Sequence, residues 1–161
     1  MLGAHGVDFV LIGGIACLVH GSSRVTVDAD VVADDRGDNL DRLLAALWDL
    51  GAAVLVGAER MAIEDGDPWE VIALRQGPGG LNEAEAWHFT TDAGPLDVVF
   101  RAAGVGGYHD HLPAAERRRV FGIEVTVAGL DDLIRSKEGL ARERDLAVLS
   151  ELRELRRQRG S

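Results

Sequence analysis

Two aspartates placed one residue apart inside an apolar segment constrain the fold of this chain more than any other feature. In the stretch VTVDADV, apolar and polar side chains alternate. An alternation with period two is typical of a β-strand with one buried face. Because side chains two residues apart share a face of a strand, we expect Asp28 and Asp30 to project side by side. Their neighbours Val27, Ala29 and Val31 are then expected to face a core.

Strand and helix patterns alternate along the rest of the chain. Strand patterns occupy residues 7–12, 52–57, 86–91, 95–100 and 120–129, and the pair around the DAG turn predicts a hairpin. Helical patterns occupy residues 15–21, 39–51, 130–141 and 143–158. The pattern is weak from 59 to 85, and residues 101–114 read as irregular. The order predicts an α/β (α+β) fold with a mixed sheet flanked by helices, in one domain with an α/β core at 1–128 and a helical tail at 129–161.

Composition and charge narrow the class of protein. The chain has 161 residues, 47% of them apolar and 27% charged, which is typical of one globular domain. A net charge of −10 argues against non-specific binding to nucleic acid, although arginines cluster locally at residues 117–119 and 153–159. Those arginines fit either a local contact with a polyanion or solvated helix faces.

The sequence also predicts a compartment. No apolar run approaches the roughly 18 residues of a membrane helix, and no signal-peptide pattern is visible at the N-terminus. The single cysteine, Cys17, excludes an internal disulfide and reads as a buried small hydrophobe. We therefore expect a cytoplasmic protein without a membrane partner.

Adjacent carboxylates are the first sign of chemistry. Asp28 and Asp30 would repel each other unless a cation lies between them, and hard oxygen ligands favour Mg²⁺ or Mn²⁺. Asp97 is a third acid inside an apolar strand pattern, and a strand paired beside the first two would bring it to the same metal. Three carboxylates can hold two metal ions for a phosphoryl displacement. The alternative is a solvent-facing strand that binds nothing.

The glycines ahead of the aspartates predict a phosphate-binding turn. Gly13 and Gly14 end a strand and open a helix, where free backbone N–H groups and the helix dipole attract anions. Ser22 and Ser23 would add hydroxyl donors, and Arg24 would pair with a phosphate or an aspartate. The alternative is a tight strand-to-helix turn without a ligand.

Other polar residues admit two readings. Lys137 and Asp145 are eight residues apart and share a side if a helix continues between them. Lys137 could then neutralise triphosphate charge, or be an ordinary surface lysine. His20 reads as a packed or capping histidine, and the pair His109 and His111 resembles metal ligands but has no clear partners.

Taken together, these residues carry a family resemblance. Gly13 and Gly14 are separated from Asp28 and Asp30 by the thirteen residues 15–27. This pattern resembles the signature of the DNA polymerase β-like nucleotidyltransferase superfamily, and Asp97 resembles its third acid. The helical segment SKEGLARERDLAVL is similar to the C-terminal helices of the AbiEii-like toxin group, which includes the mycobacterial MenT-type enzymes.

The resemblance implies a reaction and a partner set. Asp28 and Asp30 would hold Mg²⁺ or Mn²⁺, and Asp97 would hold metal or act as base, while a hydroxyl attacks the α-phosphorus of a nucleoside triphosphate and pyrophosphate leaves. In the toxin branch the acceptor is the 3′ end of tRNA, and Lys137 and Asp145 match positions needed for activity. The nucleotide-binding set would be Gly13, Gly14, Ser22, Ser23 and Arg24.

The resemblance also implies regulation by a cognate antitoxin. Thr26 matches the position that an antitoxin phosphorylates in some of these systems. A phosphate there would block metal or triphosphate by charge and bulk.

Three alternatives to the tRNA-directed toxin remain open at this stage. One is a nucleotidyltransferase for a small hydroxylated molecule such as an aminoglycoside, which the acidic net charge favours. Another is an inactive domain that binds nucleotide or protein. The weakest is metal-assisted phosphodiester cleavage, because Asp-x-Asp also occurs in other enzymes.

Overall fold

One mixed β-sheet organises the molecule. The computed structural model describes residues 1–56, 59–62, 81, 86–141 and 143–159. Its strands are β1 (Phe9–Ile12), β2 (Ala29–Ala33), β3 (Ala53–Val56), β4 (Glu59–Ala62), β5 (Ala86–Thr91), β6 (Gly94–Val99), β7 (Glu116–Val120) and β8 (Ile123–Val127). Its helices are α1 (Gly13–His20), α2 (Gly37–Asp49), α3 (Tyr108–His111), α4 (Leu130–Leu140) and α5 (Glu143–Arg159), after a 3₁₀ turn at Leu2–His5.

The strand order places β2 at the centre of the sheet. Across the described strands the order is β4-β3-β5-β6-β2-β1-β8-β7. β2 runs antiparallel to β1 and parallel to β6, and β1 runs parallel to β8. In this register Asp30 lies opposite Ile12 on one side and opposite Asp97 on the other. The sheet therefore brings two of the predicted carboxylates onto adjacent strands.

The core forms where helices cover the sheet. α2 buries Leu43 and Leu47 at helical spacing, and the β5 side chains Trp87 and Phe89 are buried and stacked. Apolar residues of α4 and α5 belong to the same hydrophobic cluster, among them Leu133, Ile134, Val148, Leu149 and Leu152. The predicted mixed α/β architecture with C-terminal helices is confirmed, and the helical tail packs into the core of the sheet.

The strand that carries the aspartates is shorter than the sequence pattern predicts. β2 begins at Ala29, while Val25 and Val27 are 87% and 80% exposed. The prediction that Val27 faces the core is therefore wrong, although Val31 is buried. β1 ends at Ile12, opposite Asp30, so the residues before Ala29 have no β1 neighbour with which to pair.

Two further differences concern the basic and irregular segments. The arginines at 117–119 lie on β7, an edge strand of the sheet, and not on a helix face. The segment 101–114, predicted as irregular, contains the single helical turn α3. Most of the weakly patterned stretch 59–85 lies outside the described residues. None of the described helices is long and apolar enough to cross a membrane.

Candidate active site

A cavity of about 680 Å³ collects nearly all of the predicted site residues. It lies beside the sheet and is bordered by α1, α4, α5 and the connection at residues 22–28. The predicted residues that line it are Gly13, Gly14, Ser22, Arg24, Thr26, Asp28, Asp30, Asp97, Lys137 and Asp145. Ser23 is the one predicted site residue that does not line it.

The two glycines make room for Asp30. Gly13 has φ +63°, and a Cβ at this position would lie 2.0 Å from Asp30 Oδ2. The backbone N–H of Gly14, at the N-terminus of α1, favours the charged form of the Asp30 carboxylate and so lowers its pKa. Burial nevertheless raises the pKa of Asp30, with a further contribution from the charge of Asp97. The turn that was predicted to hold phosphate thus holds a carboxylate of the protein itself.

The connection between α1 and β2 passes directly over the second glycine. A Cβ on Gly14 would lie 2.6 Å from Thr26 Cγ2, so only glycine lets the chain cross here. The Thr26 hydroxyl accepts a hydrogen bond from the backbone N–H of Asp28 (3.4 Å). This arrangement places Thr26 and Asp28 on the same cavity, as the sequence predicts, although Asp28 lies just before the strand.

Asp97 has a partner that the sequence analysis did not select. His88 Nδ1 lies 2.8 Å from Asp97 Oδ1, and the two residues are directly opposite across the β5–β6 hairpin. His88 also lines the cavity. Counting back from the two-residue turn at Asp92 and Ala93 would have paired these two residues, since both strands were predicted.

Lys137 and Asp145 form a buried ion pair that joins two helices. Lys137 Nζ lies 2.7 Å from Asp145 Oδ1, with the side chains 18% and 2% exposed. The helix does not continue between them, because the chain turns at Ala141 with φ +48° and α5 packs back on α4. Asp145 Oδ2 is buried without a hydrogen-bond partner among the described residues.

The predicted serine donors are occupied by a side chain from α5. Ser22 Oγ donates to Glu151 Oε2 (2.8 Å), and the backbone N–H of Ser23 donates to Glu151 Oε1 (2.7 Å). These hydrogen bonds lower the pKa of Glu151. Ser22 and Ser23 therefore tie the connection to α5 in this structure. Glu151 lies 128 residues beyond Ser23 in the sequence, and no local pattern indicates the contact.

The single cysteine and the histidines at 20, 109 and 111 differ in their burial and in their partners. Burial raises the pKa of the Cys17 thiol to about 11, so this cavity-lining group is neutral near pH 7. His20 is packed, as predicted, with Nε2 2.8 Å from the carbonyl of Ala128. His111 is buried beside Asp132, whereas His109 is exposed near Asp34, so the two histidines do not form a metal pair.

The donor set suits a hard cation, although the side chains do not converge on one point. Among the described residues, no three His, Cys, Asp or Glu side chains form a ready metal cluster. In the described part of the chain, the carboxylates that share the cavity are Asp28, Asp30, Asp97 and Asp145, and Lys137 lies beside them. The pKa of Asp30 is raised, and Asp145 Oδ2 has no hydrogen-bond partner among the described residues. A bound cation would stabilise the negative charge of both carboxylates.

No protein-family model matches the chain, and no curated protein matches it either.

Proposed function

We propose that this protein is a metal-dependent nucleotidyltransferase that transfers a nucleoside monophosphate from a nucleoside triphosphate to a hydroxyl group. The observation that carries the proposal is the in-register pairing of Asp30 with Asp97 on adjacent parallel strands, at a cavity that Asp28 and Lys137 also line. Neighbouring strands lie about 4.8 Å apart, so these carboxylates are close enough to share a pair of bound metal ions. The resemblance of the glycine and aspartate spacing to the DNA polymerase β-like superfamily supports the same reaction.

The residues divide the chemistry between them. Asp28, Asp30 and Asp97 would hold Mg²⁺ or Mn²⁺, which supplies positive charge to the triphosphate. Lys137 and Arg24 lie in the same cavity and would contact the phosphates. The acceptor oxygen attacks the α-phosphorus, its proton passes to Asp97, and the bond to the leaving pyrophosphate breaks. Of the two Asp97 carboxylate oxygens, Oδ1 accepts a hydrogen bond from a described residue and Oδ2 does not. Oδ2 is therefore available for that proton.

For the acceptor we propose the 3′ end of tRNA, with the protein acting as the toxin of a toxin–antitoxin pair. The similarity of the Lys137 and Asp145 segment to AbiEii-like toxins supports this choice. The ion pair between these residues, at the cavity that both of them line, supports a joint role for them. Phosphorylation of Thr26 by an antitoxin would place charge beside Asp28, whose backbone contacts the Thr26 hydroxyl.

A small hydroxylated, cationic acceptor is the second candidate, because the basic clusters are largely neutralised. Arg117 lies beside Glu124, Arg118 beside Glu116 and Arg153 beside Glu138, and Arg156 pairs with Asp131. Within the two clusters, these pairs leave little unpaired positive charge for a polyanion to contact, and the net charge of the chain is −10.

Label transfer distinguishes these acceptors. Purified protein with Mg²⁺ and each α-labelled ribonucleoside triphosphate is offered total tRNA or an aminoglycoside. We expect label on tRNA with the wild type, and a loss of at least about 100-fold with Asp30→Asn, which removes a metal ligand but keeps an acceptor for Gly14. Asp38→Asn, an equal change at an exposed acid of α2, should leave the rate unchanged.

Two results of this assay would count against the proposal. Label on the aminoglycoside alone would replace the tRNA acceptor with a small molecule. No label on any acceptor from folded protein would contradict the transferase itself.

Thr26→Glu, which imitates the phosphorylated state, should abolish transfer in the same assay.

A further inference from the structure

We propose that His88 is a positioning residue that holds the Asp97 carboxylate in the orientation the site requires. This inference rests on the proposed function, because it assigns Asp97 to cation binding. His88 was not selected by any sequence motif, and its role follows from its place in the sheet.

The β5–β6 hairpin fixes the pair geometrically. Thr91 pairs with Gly94 across a two-residue turn, and the register carried back from there sets His88 opposite Asp97. Trp87 and Phe89, on either side of His88, are both buried in the core. Since side chains alternate along a strand, burial of these aromatics directs His88 to the cavity face.

The hydrogen bond has only one possible direction. An ionised carboxylate is an acceptor, so the Nδ1 of His88 must carry the hydrogen that it donates to Asp97 Oδ1 over 2.8 Å. This contact restrains one oxygen of Asp97 and leaves Oδ2 for a cation or for the acceptor proton. A hydrogen bond to a ligating carboxylate is a recognised means of orienting a metal ligand.

The same contact contributes little to the stability of the fold. His88 is 65% exposed, and an exposed pair of this kind stabilises a protein weakly. Replacing His88 should therefore change cation binding without changing the melting temperature, which separates positioning from a structural role.

Mn²⁺ binding to the full chain, followed by electron paramagnetic resonance without nucleotide, tests the inference. We expect His88→Ala to weaken Mn²⁺ binding about tenfold or more, within the range seen when partners of metal ligands are removed. His88→Asn places an amide N–H near the position of Nδ1 and should retain most of the affinity. His88→Gln places its amide near Nε2 instead and should resemble His88→Ala.

Matched controls identify the source of each change. His109→Ala removes an exposed histidine outside the cavity and should bind Mn²⁺ like the wild type. Asp97→Asn sets the loss expected when the ligand itself is removed. Melting temperatures of all variants are measured in parallel.

The outcomes separate the two proposals. Wild-type affinity in both His88→Ala and His88→Gln, with binding lost in Asp97→Asn, would overturn the role of His88 alone. Equal losses in the asparagine and glutamine variants would also overturn it, because position-specific donation would not matter. An absence of Mn²⁺ binding by the wild type would contradict the cation site of the proposed function, and the role of His88 with it.

Discussion

At the scale of single residues, Gly13 and Gly14 are required by the protein's own side chains. Asp30 occupies the space where a Cβ of Gly13 would lie, and Thr26 occupies the corresponding space at Gly14. The sequence predicts that these glycines let a phosphate approach the backbone. The structure shows that they let a carboxylate and a threonine approach it, which positions Asp30 at the cavity.

Gly13→Ala tests this account against Gly6→Ala, a control with a similar backbone conformation. Gly13 and Gly6 have φ of +63° and +67°, but a Cβ on Gly6 would meet only Arg42 Cδ, at an ordinary contact distance of 3.7 Å. We expect Gly6→Ala to cost about 1–2 kcal/mol of unfolding free energy from backbone strain. Gly13→Ala should cost more and should abolish label transfer by displacing Asp30. Equal costs with transfer retained would contradict the account.

At the scale of elements, α4 and α5 meet at the cavity through Lys137 and Asp145. Asp145 is buried and Lys137 is partly buried, so the Asp145 carboxylate depends on Lys137 for charge compensation. The turn at Ala141 makes the contact between two helices rather than along one. A pair that fixes α5 also fixes Glu151, which holds the connection carrying Thr26 and Asp28.

Removing one member of this pair should therefore lower the unfolding free energy more than removing both. Lys137→Met leaves the buried Asp145 charge uncompensated and should lower the unfolding free energy by about 3 kcal/mol in chemical denaturation. Lys137→Met combined with Asp145→Leu should recover most of that loss, while label transfer stays absent in both proteins. A double variant as unstable as the single one would show that the charge pair is not what joins the helices.

Elements with strong local patterns could be predicted, and contacts between distant elements could not. The amphipathic pattern of α2 and the hairpin around Asp92 were visible because period and turn residues are local signals. The start of β2 was missed because it depends on the pairing of β2 with β1 and on the register of that pairing, which the alternation does not reveal. Glu151 was missed because its partners are far away in sequence. His88 was also missed, although counting the register of the hairpin would have paired it with Asp97.

At the scale of the whole molecule, buried histidines link distant parts of the chain. His20, at the end of α1, contacts the carbonyl of Ala128 and the guanidinium of Arg159 near the end of α5. His111 lies buried beside Asp132. Burial lowers the pKa of both histidines below the ordinary value, so each is held in its neutral form.

Stability should accordingly fall in mild acid. The unfolded chain, in which a histidine has a pKa of about 6.5, binds more protons than the folded protein below that pH. The unfolding free energy should therefore be nearly constant above pH 7 and decrease from pH 6.5 towards pH 5. His20→Gln combined with His111→Asn should flatten this decrease in urea titrations. A stability that rises between pH 7 and pH 5, or a slope unchanged by the double variant, would contradict it.

The central claim concerns a cation held by carboxylates from adjacent strands, and anomalous X-ray scattering from Mn²⁺ tests it most directly. Crystals grown with Mn²⁺ and a non-hydrolysable nucleoside triphosphate should show an anomalous peak about 2.0–2.3 Å from oxygens of Asp30 and Asp97, and none in crystals of Asp30→Asn. Bound nucleotide without a peak there, or a peak only at other carboxylates, would contradict the account.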